Sequence, residues 1–149
     1  PLRLKSFLPY RLSILSNRIS RAIADRYEKH FSLSVPEWRT MAILGEETNI
    51  SAVEVAERSA MDKVAVSRAV KVLLEAGYIE RHFSREDKRR SVLALSKQGL
   101  EVYEKVVPLA LSYERALLDG LSNQEQGFLD KILNKLNDIQ LHTVDDSEQ

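Results

Sequence analysis

The chain of 149 residues has no cysteine. That single absence excludes disulfides, thiol nucleophiles, thiol redox sensing and thiolate metal sites together. Glycine is scarce, five in all, and no glycine-rich phosphate loop is among them. The three histidines, His30, His82 and His142, stand far apart with no paired or His-x-x-Glu spacing, so the pattern offers no metal site. Serine and aspartate are common but form no nucleophile motif, and nothing at catalytic spacing points to an enzyme or a cofactor. No apolar run approaches the roughly 20 residues of a membrane span, and no secretory signal pattern opens the chain. The expectation is a cytoplasmic protein with no membrane partner.

What is present is ordinary in amount and uneven in placement. Apolar residues make up 44% and charged residues 30%, the proportions of a soluble globular protein. The length suffices for one domain with a real core, or for two small lobes sharing helices. The formal net charge is zero, which on its own argues against a nucleic-acid partner. The distribution reverses that argument. Residues 1–29 hold seven Lys/Arg against two Asp/Glu, and residues 58–90 hold nine against five. The compensating acid lies in residues 30–57, one against five, and in residues 119–149, two against seven. Local field decides phosphate binding, and a basic face survives a cancelling total.

Apolar positions three and four apart predict a first helix from about Pro9 to Lys29, through Leu12, Leu15, Ile19, Ala22 and Ile23. A second starts near Pro36 in "SVPEWRTMAILGE", with Ser34 as its cap. In "NISAVEVAERSAM", Ser51 and Glu54 form a Ser-x-x-Glu capping box, which predicts a short helix over about Ala52–Ser59. The next stretch, "MDKVAVSRAVKVLLEAGYI", places Asp62 at a helix start and Gly77 just past the end as a left-handed cap. Two short helices joined by a tight turn make a helix-turn-helix. After Gly77 the period shortens to two, and "YIERHF" and "SVLALS" read as the strands of a hairpin whose tip is "SREDKRR". Ser96 then caps a helix to about Leu118, bent at Pro108. A second capping box, Ser122 with Glu125, opens a last helix to about Leu141, and the acidic tail "DDSEQ" is expected to fray. The apolar stripes of the first helix and the last two exceed what a small central lobe can cover. The surplus predicts a homodimer interface built from both chain ends.

The outward face of the helix after Asp62 carries Val64, Ser67, Arg68 and Lys71. Arg68 and Lys71 can reach phosphates or guanine edges, Ser67 can donate to either, and Val64 and Ala65 can meet a thymine methyl. Lys63 and the cap residue Ser51 adjoin the same surface. In isolation such a face reads as solvated. The capped helix before it and the basic hairpin after it turn the reading toward DNA. In the hairpin tip, Arg85, Lys88, Arg89 and Arg90 form a thin basic element of the kind that enters a minor groove. Asp87 is out of place if charge alone were wanted there, and a charge-assisted pair in which it holds the Arg89 side chain would explain it. A small-molecule cleft is a further candidate. Trp38, the only tryptophan, sits beside Arg39, and the first helix contributes Tyr10, Arg11 and Arg18, aromatic and cationic groups suited to an aromatic anion. The plainer alternative makes Trp38 core filler and the arginines surface charge.

The order helix, helix, capped helix, "DKVAVSRAVKVLLEAGYIER", charged hairpin with "REDKRRSVLALSKQG", and two long helices resembles the MarR family of bacterial winged helix-turn-helix regulators. The resemblance covers nearly the whole chain. Its most specific parts are Ser67-Arg68 with the Leu73…Gly77 spacing, and Asp87-x-Arg89 followed by "LALSKQG". It implies a mostly α fold with a small β-wing, in one domain over residues 1–149. A winged helix-turn-helix lobe would occupy residues 34–96, and residues 1–33 and 97–149 would form a dimerisation lobe. It further implies a homodimer on double-stranded DNA with an inverted-repeat operator. A recognition helix over about Asp62–Ala76 would lie in the major groove, and Arg89, oriented by Asp87, in the minor groove. Many members are repressors released by small aromatic ligands bound between the two lobes. The peroxide-sensing route is closed here by the missing cysteine. The segments "FLPYRLSILSNRISRAIADRY" and "SVPEWRTMAIL" look most like members controlling catabolism of aromatic acids, with the acids or their CoA thioesters as effectors. The rival from another class is a winged-helix protein-interaction module that never touches DNA. Four cations in one wing count against it.

Overall fold

A computed structural model describes residues 1–139, as six α-helices and one two-stranded sheet. A 3-10 turn at Leu4–Ser6 precedes α1 (Leu8–Phe31), α2 (Val35–Glu46), α3 (Ala52–Ser59) and α4 (Lys63–Glu75). The hairpin β1 (Ile79–Phe83) and β2 (Ser91–Leu95) follows, then α5 (Lys97–Leu118) and α6 (Asn123–Asp138). This is the expected mostly α fold with a β-wing. Helix ends differ by a few residues: α1 runs on to Phe31, and α6 stops at Asp138 rather than near Leu141. Leu141, His142 and the acidic tail lie outside the described residues. No described helix is long and apolar enough to cross a membrane.

Side chains written into the sequence start the helices. Ser34 Oγ accepts the Glu37 N–H at 3.3 Å, and Asp62 Oδ1 accepts the Ala65 N–H at 2.8 Å. Both capping boxes form with both arms: Glu54 N–H to Ser51 Oγ and Ser51 N–H to Glu54 Oε2, and likewise Ser122 with Glu125. These bonds hold the Glu54 and Glu125 carboxyls below the ordinary carboxylate range, the backbone N–H of each serine being the main cause. α4 ends as expected. Gly77 takes φ +77°, a left-handed conformation that a Cβ would strain, and two reversed bonds close the helix, Gly77 N–H to Leu74 O and Tyr78 N–H to Leu73 O. The turn from α3 to α4 needs the same hand and obtains it from Ala60, at φ 54°.

The chain divides into two compact units, Pro1–Leu111 and one beginning at Ser112, so the division falls inside α5. The core of the first unit gathers Ala24 and Tyr27 from α1, Met41 and Leu44 from α2, Val55 from α3, Val66, Val70 and Leu73 from α4, Ile79 and Leu93 from the hairpin, and Val106 from α5. The N-terminal half of α1 joins none of this: Leu8, Leu12, Ile14 and Leu15 remain exposed. In the second unit α6 buries no residue, and Phe128, Leu129, Ile132, Leu133 and Leu136 are exposed.

Two long-range ties place the hairpin. Outside the sheet, Ile50 forms an antiparallel bridge to Leu93, with Asn49 N–H to Leu93 O at 3.0 Å and Leu93 N–H to Ile50 O at 2.7 Å. The Ser96 hydroxyl donates to Gly77 O at 2.5 Å and accepts the Gly99 N–H at 2.9 Å, while the Ser96 N–H reaches Tyr78 O at 3.0 Å. Ser96 therefore caps α5, as expected, and also clasps the end of α4. Gly99 makes this possible: a Cβ there would stand 1.8 Å from the Tyr78 carbonyl oxygen.

Candidate nucleic-acid interface

α4 buries one side and exposes the other as its periodicity requires. Val66, Ala69, Val70 and Leu73 are buried, and Lys63, Val64, Ser67, Arg68 and Lys71 are exposed, with Ala65 half-buried. Val64 to Lys71 spans two turns, about 10 Å of helix at 1.5 Å per residue, which matches the reach of a major groove about 12 Å wide. Lys63, Arg68 and Lys71 form no ion pair with any described residue. Ser51 is half-buried and its Oγ already accepts the Glu54 N–H, which leaves its hydroxyl hydrogen free to donate to a phosphate.

Between α3 and α4 lies an apolar groove of about 460 Å³, floored by Ala52, Ala56, Val66, Val70 and Leu74 and rimmed by Lys63, Ser67, Lys71, Glu75 and Arg81. Arg81 was not legible as a member of this surface, because β1 has to be folded back before its side chain meets α4. Its guanidinium donates to Ser91 Oγ across the hairpin at 3.0 Å.

The hairpin pairs in the register Ile79↔Leu95 to Phe83↔Ser91, leaving Ser84–Arg90 as the tip. Ile79, Val92 and Leu93 are buried, while Phe83 stands 70% exposed. The tip is a built turn. Ser84 N–H bonds Arg90 O at 2.8 Å, Arg90 N–H bonds Asp87 O at 2.9 Å, and Ser84 Oγ accepts from the Glu86 and Asp87 backbones. Asp87 corrects the expectation in its detail. Its Oδ1 accepts the Arg89 backbone N–H at 3.0 Å, so it fixes the path of the chain at Arg89, and no ion pair joins the two side chains. A carboxylate two residues upstream reaches a backbone N–H more readily than the end of a long, solvated guanidinium. Arg85, Lys88 and Arg89 are exposed and form no ion pair with a described residue. Arg90 differs: its guanidinium pairs with the Glu54 carboxylate on α3.

The five residues expected to share an effector cleft do not converge. Trp38 packs between two tyrosines, 5.8 Å from the Tyr27 ring and stacked at 5.9 Å on Tyr103, which makes it core filler. Arg11 and Arg18 line a shallow depression on α1 itself with Leu8, Leu12, Ile14 and Leu15. Tyr10 is exposed on the same helix. Arg39 turns to Ser20 Oγ at 2.7 Å. It lines a separate concavity of about 610 Å³ between α1 and α2, with Asn17, Arg21, Asp25, Glu28 and Pro36. Arg21, which no motif singled out, is the second cation there. No group of three or more His, Asp or Glu among the described residues is placed to hold a metal ion.

Residues 31–90 match the family model described as MarR family. The HTH-type transcriptional regulator BilQ of Clostridium symbiosum is 31% identical over 93 residues, 62% of this chain and 65% of BilQ, so the chain spans just under two thirds of that relative. A MarR/EmrR family transcriptional regulator from Acinetobacter sp. ADP1 is similar in structure, with a TM-score of 0.82 and 29% identity over 91% of this chain and 96% of that one. A MarR mutant from E. coli complexed with operator DNA shares the fold, with a TM-score of 0.73 and 21% identity over 85% and 91% of the two chains. Residues 31–90 thus match the MarR family model, and the fold of the described residues is that of MarR-family regulators of known structure.

Proposed function

We propose that the chain is a homodimeric, sequence-specific DNA-binding transcriptional regulator. In this reading it represses genes for the catabolism of aromatic acids and is released by an aromatic carboxylate or its CoA thioester. The observation that carries the DNA reading is a set of exposed cations that form no ion pair with a described residue, Lys63, Arg68 and Lys71 on α4 and Arg85, Lys88 and Arg89 on the wing. The description of relatives as transcriptional regulators supports it. Residues 34–96 would read DNA, and residues 1–33 and 97–149 would dimerise. The uncovered apolar residues at the start of α1 and along α6 support the dimer. Two recognition helices about a two-fold axis call for an inverted repeat with half-sites about one helical turn apart. The effector half leans on the concavity between α1 and α2, where Arg21 and Arg39 offer the charge that a carboxylate or thioester phosphate needs.

The test is titration against an operator selected from a random duplex pool. Arg89→Ala should weaken binding by about 1–3 kcal/mol, the worth of one good contact. Unchanged affinity would remove the wing from the interface. Arg68→Ala should also weaken binding; if Arg68 touches phosphate only, discrimination between operator and random duplex persists. A thermal-shift screen of aromatic acids and their CoA thioesters tests release, because a ligand that binds the folded dimer raises its melting temperature. Failure to shift random duplex even at low salt would favour the protein-interaction module, a reading that the three exposed wing cations oppose.

A further inference from the structure

Among the described residues, Arg90 is the one wing-tip cation tied to another element, and its partner is already immobilised. Glu54 Oε2 receives the Ser51 N–H at 2.9 Å in the capping box of α3, while Oε1 takes the Arg90 guanidinium from 36 residues away. Both backbone groups of Arg90 are engaged as well, its N–H with Asp87 O and its carbonyl with Ser84 N–H. The pair is partly exposed, with side-chain exposures of 45% for Arg90 and 28% for Glu54. Pairs of that kind contribute little to stability. Its consequence is the address of the charge: a guanidinium held by a carboxylate is neutralised and is no longer a phosphate ligand.

We propose that Glu54 is a positioning residue for duplex binding, which withdraws Arg90 from the phosphate-contacting set and leaves Arg85, Lys88 and Arg89 as the contacts of the wing. This rests on the DNA reading above. It divides the tip, uniform in sequence, into one cation that anchors the wing to α3 and three that face outward. The same contact ties the start of the reading motif to the base of the wing tip, beside the backbone bridge of Ile50 with Leu93.

The salt dependence of affinity counts phosphate contacts, since each neutralised phosphate adds about 0.9 to the slope of log affinity against log salt. Binding of a random-sequence duplex is measured by fluorescence anisotropy over a salt series for the full chain and its variants. Arg89→Ala should flatten the slope by about 0.9 per subunit, and Arg90→Ala should leave it unchanged. Glu54→Gln keeps the capping box, because glutamine serves at that position, but frees Arg90, and so should steepen the slope by a similar amount. Adding Arg90→Ala to Glu54→Gln should restore the wild-type slope. Flattening by Arg90→Ala as large as that of Arg89→Ala overturns the proposal while leaving the DNA reading intact. A wild-type chain that binds no duplex overturns the DNA reading, and the proposal with it. A readout without DNA separates the pair from its use: in an NMR titration, the Glu54 carboxyl should titrate higher in Arg90→Ala than in wild type. An unchanged Glu54 titration overturns the pairing itself.

Discussion

The close approach of the Tyr78 carbonyl to Gly99 is open to a one-carbon test. In Gly99→Ala the added Cβ would lie 1.8 Å from the Tyr78 oxygen, 2.7 Å from its carbonyl carbon and 3.1 Å from its Cα. Relief to ordinary contact requires a shift of about 1.5 Å between α5 and the chain entering β1. The Tyr78 oxygen cannot make that shift and keep its 3.0 Å bond from the Ser96 N–H. Overpacking of this kind costs about 1–3 kcal/mol, and the buried bond left unmade about 1–3 kcal/mol more. Replacing a helical glycine by alanine returns about 1 kcal/mol. The net loss is about 1–5 kcal/mol, and for a chain of this size the melting temperature should fall by roughly 2–20 °C. Thermal and urea unfolding measure it. Gly127→Ala in α6 is the internal control, since nothing lies within 4 Å of its Cβ; it should stabilise by up to about 1 kcal/mol. If Gly99→Ala is as stable as wild type, the clasp of Ser96, Gly77 and Tyr78 is not the constraint described. Because Tyr78 leads directly into β1, DNA affinity should fall together with stability.

Two further outcomes follow from named bonds. Asp87→Asn keeps an oxygen acceptor for the Arg89 N–H and should bind DNA at least as tightly as wild type, whereas Asp87→Ala frees the tip and should bind more weakly; the opposite order in an anisotropy titration would restore a charge pair between Asp87 and Arg89. Burial, helped by the neighbouring Glu28 carboxylate, pushes the Tyr27 hydroxyl from 10.0 up to about 12. The unfolded chain therefore loses this proton near pH 10 and the folded chain only near pH 12. Stability is intact below pH 10 and falls between pH 10 and 12, by up to about 1.4 kcal/mol per pH unit. Urea midpoints across that range should show the fall in wild type and a smaller one in Tyr27→Phe.

Much of the fold was legible because its signals are local. The Ser51–Glu54 and Ser122–Glu125 boxes, Asp62, Gly77 and Ser96 each act within about four residues of themselves, and each forms the expected bond or turn. The outward face of α4 was legible because a 3.6-residue period sorts Val66 and Val70 from Arg68 and Lys71 without knowledge of what they pack on. The site's finer wiring was not legible, because it joins distant residues. Glu54 and Arg90 are 36 positions apart, and Gly99 is an ordinary helical residue until the backbone of Tyr78 passes it. The residues expected to form an effector cleft lie apart for the same reason. Trp38, Arg39, Arg11 and Arg18 share neighbouring helices, but rotation about each helix axis, which composition does not report, sends them to different surfaces. Asp87 was legible as a fixing residue, though its target proved to be the backbone.

The Ile50–Leu93 bridge has a consequence for the shape of any duplex this surface reads. It joins the segment leading into α3 to the wing by backbone bonds, so the element suited to the major groove and the element suited to the minor groove keep a set distance. One inserted base pair moves the next groove by about 3.4 Å and turns it by about 35°. A half-site lengthened by one pair would thus lose either the helix contacts or the wing contacts, because the protein has no slack between them. In the homodimer proposed above, variation in operator spacing should be tolerated only between the two half-sites, where the join would lie between subunits.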